Sequence, residues 1–273
     1  MIIPAYGSST LADLLPSVAA RQQVPGYEID RIGLPAADRY VVVLIDGLGW
    51  ELLHGAVAQA PYLGSLLADS HSLTAGVPST TVTSLASLGT GLPPGQHGMV
   101  GYTSRVPATG EILNALTWES DLVAQEYQPK TTEFERARAA GIEVTSVALA
   151  RFKSTGLTRA GLRGPEFLGF REERAVDVRV ALTVEAALRG ERSLVYAYER
   201  ELDHTGHVDG CGSPAWRRHL GRVDRMVAQL REALPAEVVL IVTGDHGMVD
   251  IPPWHQLIAE DHPDLMAGVD ALA

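Results

Sequence analysis

Four short, nearly uninterrupted apolar runs constrain this chain more than anything else in it. They span residues 40–45 (YVVVLI), 143–149, 193–198 and 237–242. Alternating strands of a one-sided sheet would show polar residues at every second position. Continuous Val, Leu and Ile instead predict strands covered on both faces, as in a parallel sheet. Between the runs lie amphipathic stretches at 131–140, 175–189 and 214–234. The first opens on Thr131, Thr132 and Glu133 and closes on Gly141, a cap-to-cap helix pattern. Strand alternating with helix predicts an α/β fold, a largely parallel central sheet with helices on both faces.

In such sheets ligands collect beyond the carboxyl ends of the strands. Three of the four runs place chemistry there. Asp46 directly follows VVVLI, Asp245 and His246 follow VVLIVTG, and Asp203 and His207 follow LVYAYERE. Asp203 and His207 are four apart, so one helical turn would put both on one face. Asp245 and His246 are neighbours and reach a common ion only if the chain turns, which Gly244 and Gly247 permit. Carboxylate with imidazole suits zinc, manganese or iron better than magnesium. Three carboxylates and two imidazoles exceed one tetrahedral zinc site. They suit two divalent ions about 4 Å apart, a clamp for in-line phosphoryl displacement. Gly47 and Gly49 do not make a dinucleotide fingerprint, because the third glycine and the later acidic residue are missing.

A hydroxyl-rich block, GVPSTTVTSLASLGTGLPPGQHG, occupies residues 76–98. It predicts a helix over 80–88, broken by Gly89 to Gly95. A hydroxyl at its start would sit in the positive end of the helix dipole, where a phosphate also docks. Ser79, Thr80, Thr81, Thr83 and Ser84 are all candidates on local chemistry.

With 273 residues, 46% of them hydrophobic, the chain can bury a substantial core, and it reads as one domain over 1–273. The net charge of −11 argues against duplex nucleic acid as a partner. A small phosphorylated molecule stays compatible, since bound cations reverse the local field. A single cysteine, Cys211, excludes an internal disulfide framework. The N-terminus lacks a signal-peptide pattern and no apolar run could span a bilayer, so the expectation is a cytoplasmic protein without a membrane partner.

Taken together, Asp46, the PSTTVTSLASLGTG block, Asp203-x-x-x-His207 and TGDHGM resemble the alkaline phosphatase superfamily, and within it the nucleotide pyrophosphatase/phosphodiesterase branch. The resemblance selects Thr81 as nucleophile, nine positions before Thr90 of the Thr90-Gly91 pair. It implies that Asp46, Asp245 and His246 hold one metal, with Thr81 at its open position, and that Asp203 and His207 hold the other. It further implies a two-metal hydrolase of phosphodiester or pyrophosphate bonds in nucleotide-like small molecules, with a covalent threonine intermediate and zinc, or else manganese. A carbon–phosphorus hydrolase of the same superfamily and a non-catalytic phosphate-binding relative are the alternatives. Trp50, Tyr102, Trp118 and Tyr127 are the aromatics available to stack on a base.

The sequence departs from the family pattern twice. Ser84 stands where the pattern has an asparagine that helps hold phosphate. The pattern's third ligand to the second metal, a later histidine, has only His255 and His262 as counterparts. The expectation is that this ligand lies in a C-terminal segment beyond Ala273.

Overall fold

The computed structural model describes residues 3–267 and 269. In chain order its elements are α1 (Leu14–Arg21), β1 (Arg39–Ile45), α2 (Trp50–His54), α3 (Pro61–Leu66), α4 (Thr81–Thr90), α5 (Pro94–His97), β2 (Thr103–Arg105) and β3 (Ile112–Asn114). There follow α6 (Ala124–Tyr127), α7 (Glu133–Ala139), β4 (Glu143–Leu149), α8 (Gly156–Gly161), β5 (Glu166–Phe170) and α9 (Val176–Ala187). The remainder is β6 (Ser193–Glu199), α10 (Glu201–Asp209), α11 (Pro214–Ala233), β7 (Val238–Thr243) and α12 (Pro263–Met266).

Five strands form one parallel sheet in the order β5-β4-β6-β1-β7. The continuous apolar runs have the expected cause. Tyr40, Val42 and Leu44 of β1 pack on one face with α1, α4 and α7 residues such as Val18, Leu88 and Phe134. Val41, Val43 and Ile45 pack on the other with Trp216, Leu220 and Val227 of α11. Successive side chains of a strand point to opposite faces, so a sheet covered twice needs apolar residues at every position.

The predicted helices recur within a few residues. On α7 the cap is Thr132, whose hydroxyl accepts from Glu135 N (3.1 Å) while the Glu135 carboxylate accepts from Thr132 N (2.9 Å). That reciprocal pair is a capping box. One boundary needs correction. Gly89 does not break the helix predicted over 80–88; α4 continues to Thr90 and ends at Gly91, whose φ of +67° is the left-handed termination. Gly89 is there for packing, since a Cβ on it would lie 1.8 Å from the carbonyl oxygen of Gly161 on α8.

The outer edge of β7 pairs with no other described strand. It faces a groove of about 550 Å³ whose walls include Leu11, Leu34, Leu53 and Leu63. No helix among the described residues is long and apolar enough to cross a membrane.

Candidate active site

The parallel register brings the three ligand-bearing strands to a common end. Ile45 lies opposite Glu199 on one side of β1, and Leu44 lies opposite Thr243 on the other. Asp46 therefore leaves the sheet between the start of α10 and the turn that carries Asp245 and His246. Its main-chain N–H donates to the carbonyl of Glu199 (2.8 Å).

Three turns must crowd together here, and glycines allow it. Gly47 has φ +71° and faces Asp203 so closely that a Cβ would lie 3.0 Å from both Cβ and Oδ1 of that residue. Gly49 meets Gly247 main chain to main chain, with 2.6 Å between a hypothetical Cβ and Gly247 Cα. The width of the site is thus set by backbone contact.

Side-chain geometry follows. Asp245 Oδ1 accepts from Gly47 N (3.0 Å) and His246 N (2.9 Å). His246 Nδ1 lies 3.1 Å from the carbonyl oxygen of Gly247, which accepts only from an N–H, so the proton belongs on Nδ1. The free Nε2 then faces the cluster, 3.1 Å from Thr81 Oγ1 and 3.5 Å from both Asp46 Oδ1 and Asp245 Oδ2. Thr81 Oγ1 also lies 3.4 Å from Asp46 Oδ1. Asp203 and His207 share one face of α10, with Oδ1 and Nε2 3.4 Å apart, as their spacing predicts.

One atom from each of Asp46, Asp203 and His246 falls within 4.8 Å of the others. That trio draws on both of the ligand sets that the family resemblance implies. His255 stacks edge-on against Trp254 and His262 is exposed; neither belongs to the trio.

The carboxylates of the site crowd one another. Burial, then the charges of Asp245 and Asp203, push the Asp46 carboxyl well above the usual carboxylate range. Burial pushes Asp245 up to about 7. The basic side chains within 4.0 Å of the Asp46, Asp203 and Asp245 carboxylates, among the described residues, are histidine imidazoles. Two buried carboxylate oxygens, Asp203 Oδ1 and Asp245 Oδ2, have no hydrogen-bond donor. A buried anionic oxygen without a partner is costly. Unpartnered oxygens, crowded carboxylates and an imidazole nitrogen held as a lone pair together fit divalent metal ions.

Thr81 is the first residue of α4, and its N-cap Thr80 makes no side-chain cap bond. The first-turn amides are therefore open toward an anion. Of the other hydroxyls, Thr83 and Ser84 are fully buried, and Ser84 Oγ has no partner. His97, later in the same block, is a fold residue. It lies 2.9 Å from Ser87 Oγ and accepts from Met99 N, and burial lowers its pKa to about 4.

Sequence reasoning missed Tyr198, whose hydroxyl donates to Asp46 Oδ2. Its signal was faint, since Tyr198 reads as one more apolar strand position. Of the aromatics considered for base stacking, Trp118 and Tyr127 pack on each other (5.7 Å, edge-on), and Trp50 packs on His54. Tyr102 is exposed.

Known proteins place this geometry in context. The structure of murine ectonucleotide pyrophosphatase/phosphodiesterase 5 superposes with a TM-score of 0.67 at 22% identity, covering 82% of this chain and 61% of that one. An inactive form of the same murine protein, in complex with AMP, gives 0.65 at 21% identity with the same coverage. At these identities the likeness establishes the alkaline-phosphatase-like α/β fold. The chain thus spans less than two thirds of the length of those structures. The catalytic subunit of human GPI ethanolamine phosphate transferase 3 is 36% identical over 59 residues, 22% of this chain and 5% of that protein. The profile of type I phosphodiesterases / nucleotide pyrophosphatases matches residues 40–266, a span that contains all the residues of the site. The chain is a member of the type I phosphodiesterase / nucleotide pyrophosphatase family.

Proposed function

We propose that this chain hydrolyses phosphodiester or pyrophosphate bonds in small nucleotide-like molecules, with Thr81 as the nucleophile at a two-metal centre. The observation that carries the reading is the position of Thr81 Oγ1. It stands at the uncapped start of α4, 3.1 Å from the lone-pair nitrogen of His246 and 3.4 Å from Asp46 Oδ1.

Asp46, Asp245 and His246 would hold one ion beside Thr81, and Asp203 and His207 the other. Zinc fits the mixed carboxylate and imidazole set best, with manganese second. The approach of Asp46, Asp203 and His246 within 4.8 Å supports neighbouring ions. When bound, such ions lower hydroxyl and water pKa values and neutralise charge on phosphate oxygens.

The chain's own groups supply the rest. The first-turn amides of α4 receive the phosphate. Thr81 Oγ forms a bond to phosphorus and loses its proton, and the bond to the leaving group breaks. Water then attacks the phospho- or nucleotidyl-threonine and restores the hydroxyl. Tyr198 and Gly47 fix Asp46 and Asp245, so the acceptors around Thr81 hold their positions. Ser84 is buried, so the phosphate grip that the family pattern gives to asparagine falls here to the helix amides.

The AMP complex of the murine relative supports a nucleotide-like substrate. Thr81→Ala is expected to lower turnover of a nitrophenyl nucleotide diester by at least ~10³-fold, a loss comparable to removing other catalytic nucleophiles. Zinc content and circular dichroism should be unchanged. Near-normal turnover would exclude Thr81 as nucleophile. A panel adding a monoester and a phosphonate separates the carbon–phosphorus alternative.

A further inference from the structure

Glu199, the last residue of β6, is a buried carboxylate that the chemistry above leaves unused. It is 3% exposed. Its carboxylate accepts from the main-chain N–H groups of Glu201 (3.1 Å) and Leu202 (3.3 Å), the first two residues of α10. The formal N-cap, Arg200, already has helical dihedrals and gives no side-chain cap. Glu199 therefore caps α10 from one residue further back, where a negative charge also suits the helix dipole.

An imidazole and a guanidinium hold this carboxylate from outside. His219 Nε2 on α11 lies 3.3 Å from Glu199 Oε1, and Arg179 on α9 lies 4.0 Å away. Arg179 is fixed in turn over the Phe170 ring and by the Tyr198 carbonyl. Burial pushes the Glu199 pKa up, but the His219 hydrogen bond and the Arg179 charge outweigh it, so the group stays below its usual range. The main chain of the same residue accepts the Asp46 N–H. One residue thus ties down Asp46 on one side and the start of α10 on the other. Asp203 is the third residue of that helix, inside the turn that Glu199 caps.

We propose that Glu199, held by His219 and Arg179, is a positioning residue that fixes the first turn of α10 and with it Asp203 and His207 relative to Asp46. Its consequence for metal affinity rests on the two-metal reading; its hold on α10 does not. A cavity of about 530 Å³ borders Glu199, His219, Arg179 and Thr205, and Asp46 is not among its lining residues. It is large enough for imidazole to replace a truncated His219 side chain.

The test uses Glu199→Gln, which keeps volume and one acceptor but loses the charge, and His219→Ala. In metal-free protein, hydrogen exchange across α10 is expected to speed up about tenfold, the loss of one cap, while β1 and α11 stay protected. In cobalt titrations followed by visible absorption, one of two equivalents should weaken by roughly 10–100-fold and the other hold. Imidazole should restore the wild-type cobalt spectrum to His219→Ala and not to Glu199→Gln. Unchanged exchange in α10 of both variants overturns the inference whatever the metals do. Faster exchange in α10, with no cobalt taken up by the wild type, upholds Glu199 as the anchor of α10 and refutes the metal reading instead.

Discussion

Replacing Gly89 with alanine sets two effects of opposite sign against each other. Inside a ten-residue helix, alanine in place of glycine gains about 1 kcal/mol of helix propensity. Against that, the new Cβ would sit 1.8 Å from the Gly161 carbonyl oxygen and 2.9 Å from its carbon. Bringing that carbon–oxygen contact to about 3.3 Å requires the two helices to part by roughly 1.5 Å. The obstacle is main chain, so no rotamer change can relieve it. Overpacking of a core costs about 3 kcal/mol at the upper end of the usual range. The contact therefore wins, and the net expectation is a loss of about 2 kcal/mol, or about 4–8 °C in Tm. Urea denaturation of the variant beside Gly95→Ala is the assay. A Cβ on Gly95 has open space, so that variant should be neutral or slightly stabilised. A Gly89→Ala protein as stable as the wild type would show that α4 and α8 do not pack this closely.

Three further outcomes follow from the site and its surroundings. Asp46 and Asp245 have folded-state pKa values above the unfolded carboxylate range, near 7 for Asp245, so the folded state binds protons more tightly. Stability of chelator-treated protein should fall as pH rises from about 5 to about 7, and a Tm that climbs over this window would contradict it. Asp46→Asn removes a charge opposed by burial, Asp245 and Asp203. It should raise the Tm of metal-free protein, flatten that pH slope and lower zinc uptake by one equivalent, measured by differential scanning fluorimetry and metal analysis. Thr132→Ala loses the α7 cap and a 2.7 Å hydrogen bond to the Arg163 carbonyl, and is expected to cost about 1–2 kcal/mol in urea denaturation.

The fold was legible where burial is two-sided and hidden where it is not. The four strands read from sequence all lie in the sheet because both faces need apolar residues. β5 escaped notice, since Glu166–Phe170 is a half-exposed edge strand interrupted by Gly169. The Thr103–Arg105 and Ile112–Asn114 hairpin is too short to show a period. Gly89 misled because helix-breaking propensity and helix–helix contact select the same residue. The approach of Asp46, Asp203, Asp245 and His246 at one end of the sheet was readable from strand ends alone, while His207 touches this group only through Asp203. Thr81 was not, because its neighbours share its chemistry; only three-dimensional packing buries Thr83 and Ser84 and leaves Thr81 beside His246. Tyr198 meets Asp46, and Glu199 is held by His219 and Arg179, across other elements of the fold, which no local pattern encodes.

The anchorage of the site is lopsided. Asp46 leaves β1, which is paired along both edges, whereas Asp245 and His246 leave β7, paired along one edge among the described residues and half-exposed over most of its length. Edge strands open at lower free energy than central ones. Ions that take Asp46 together with Asp245 and His246 would act as a rivet between an edge strand and a central one. Metal loss would then be felt as fraying along β7 before the strands paired on both edges yield.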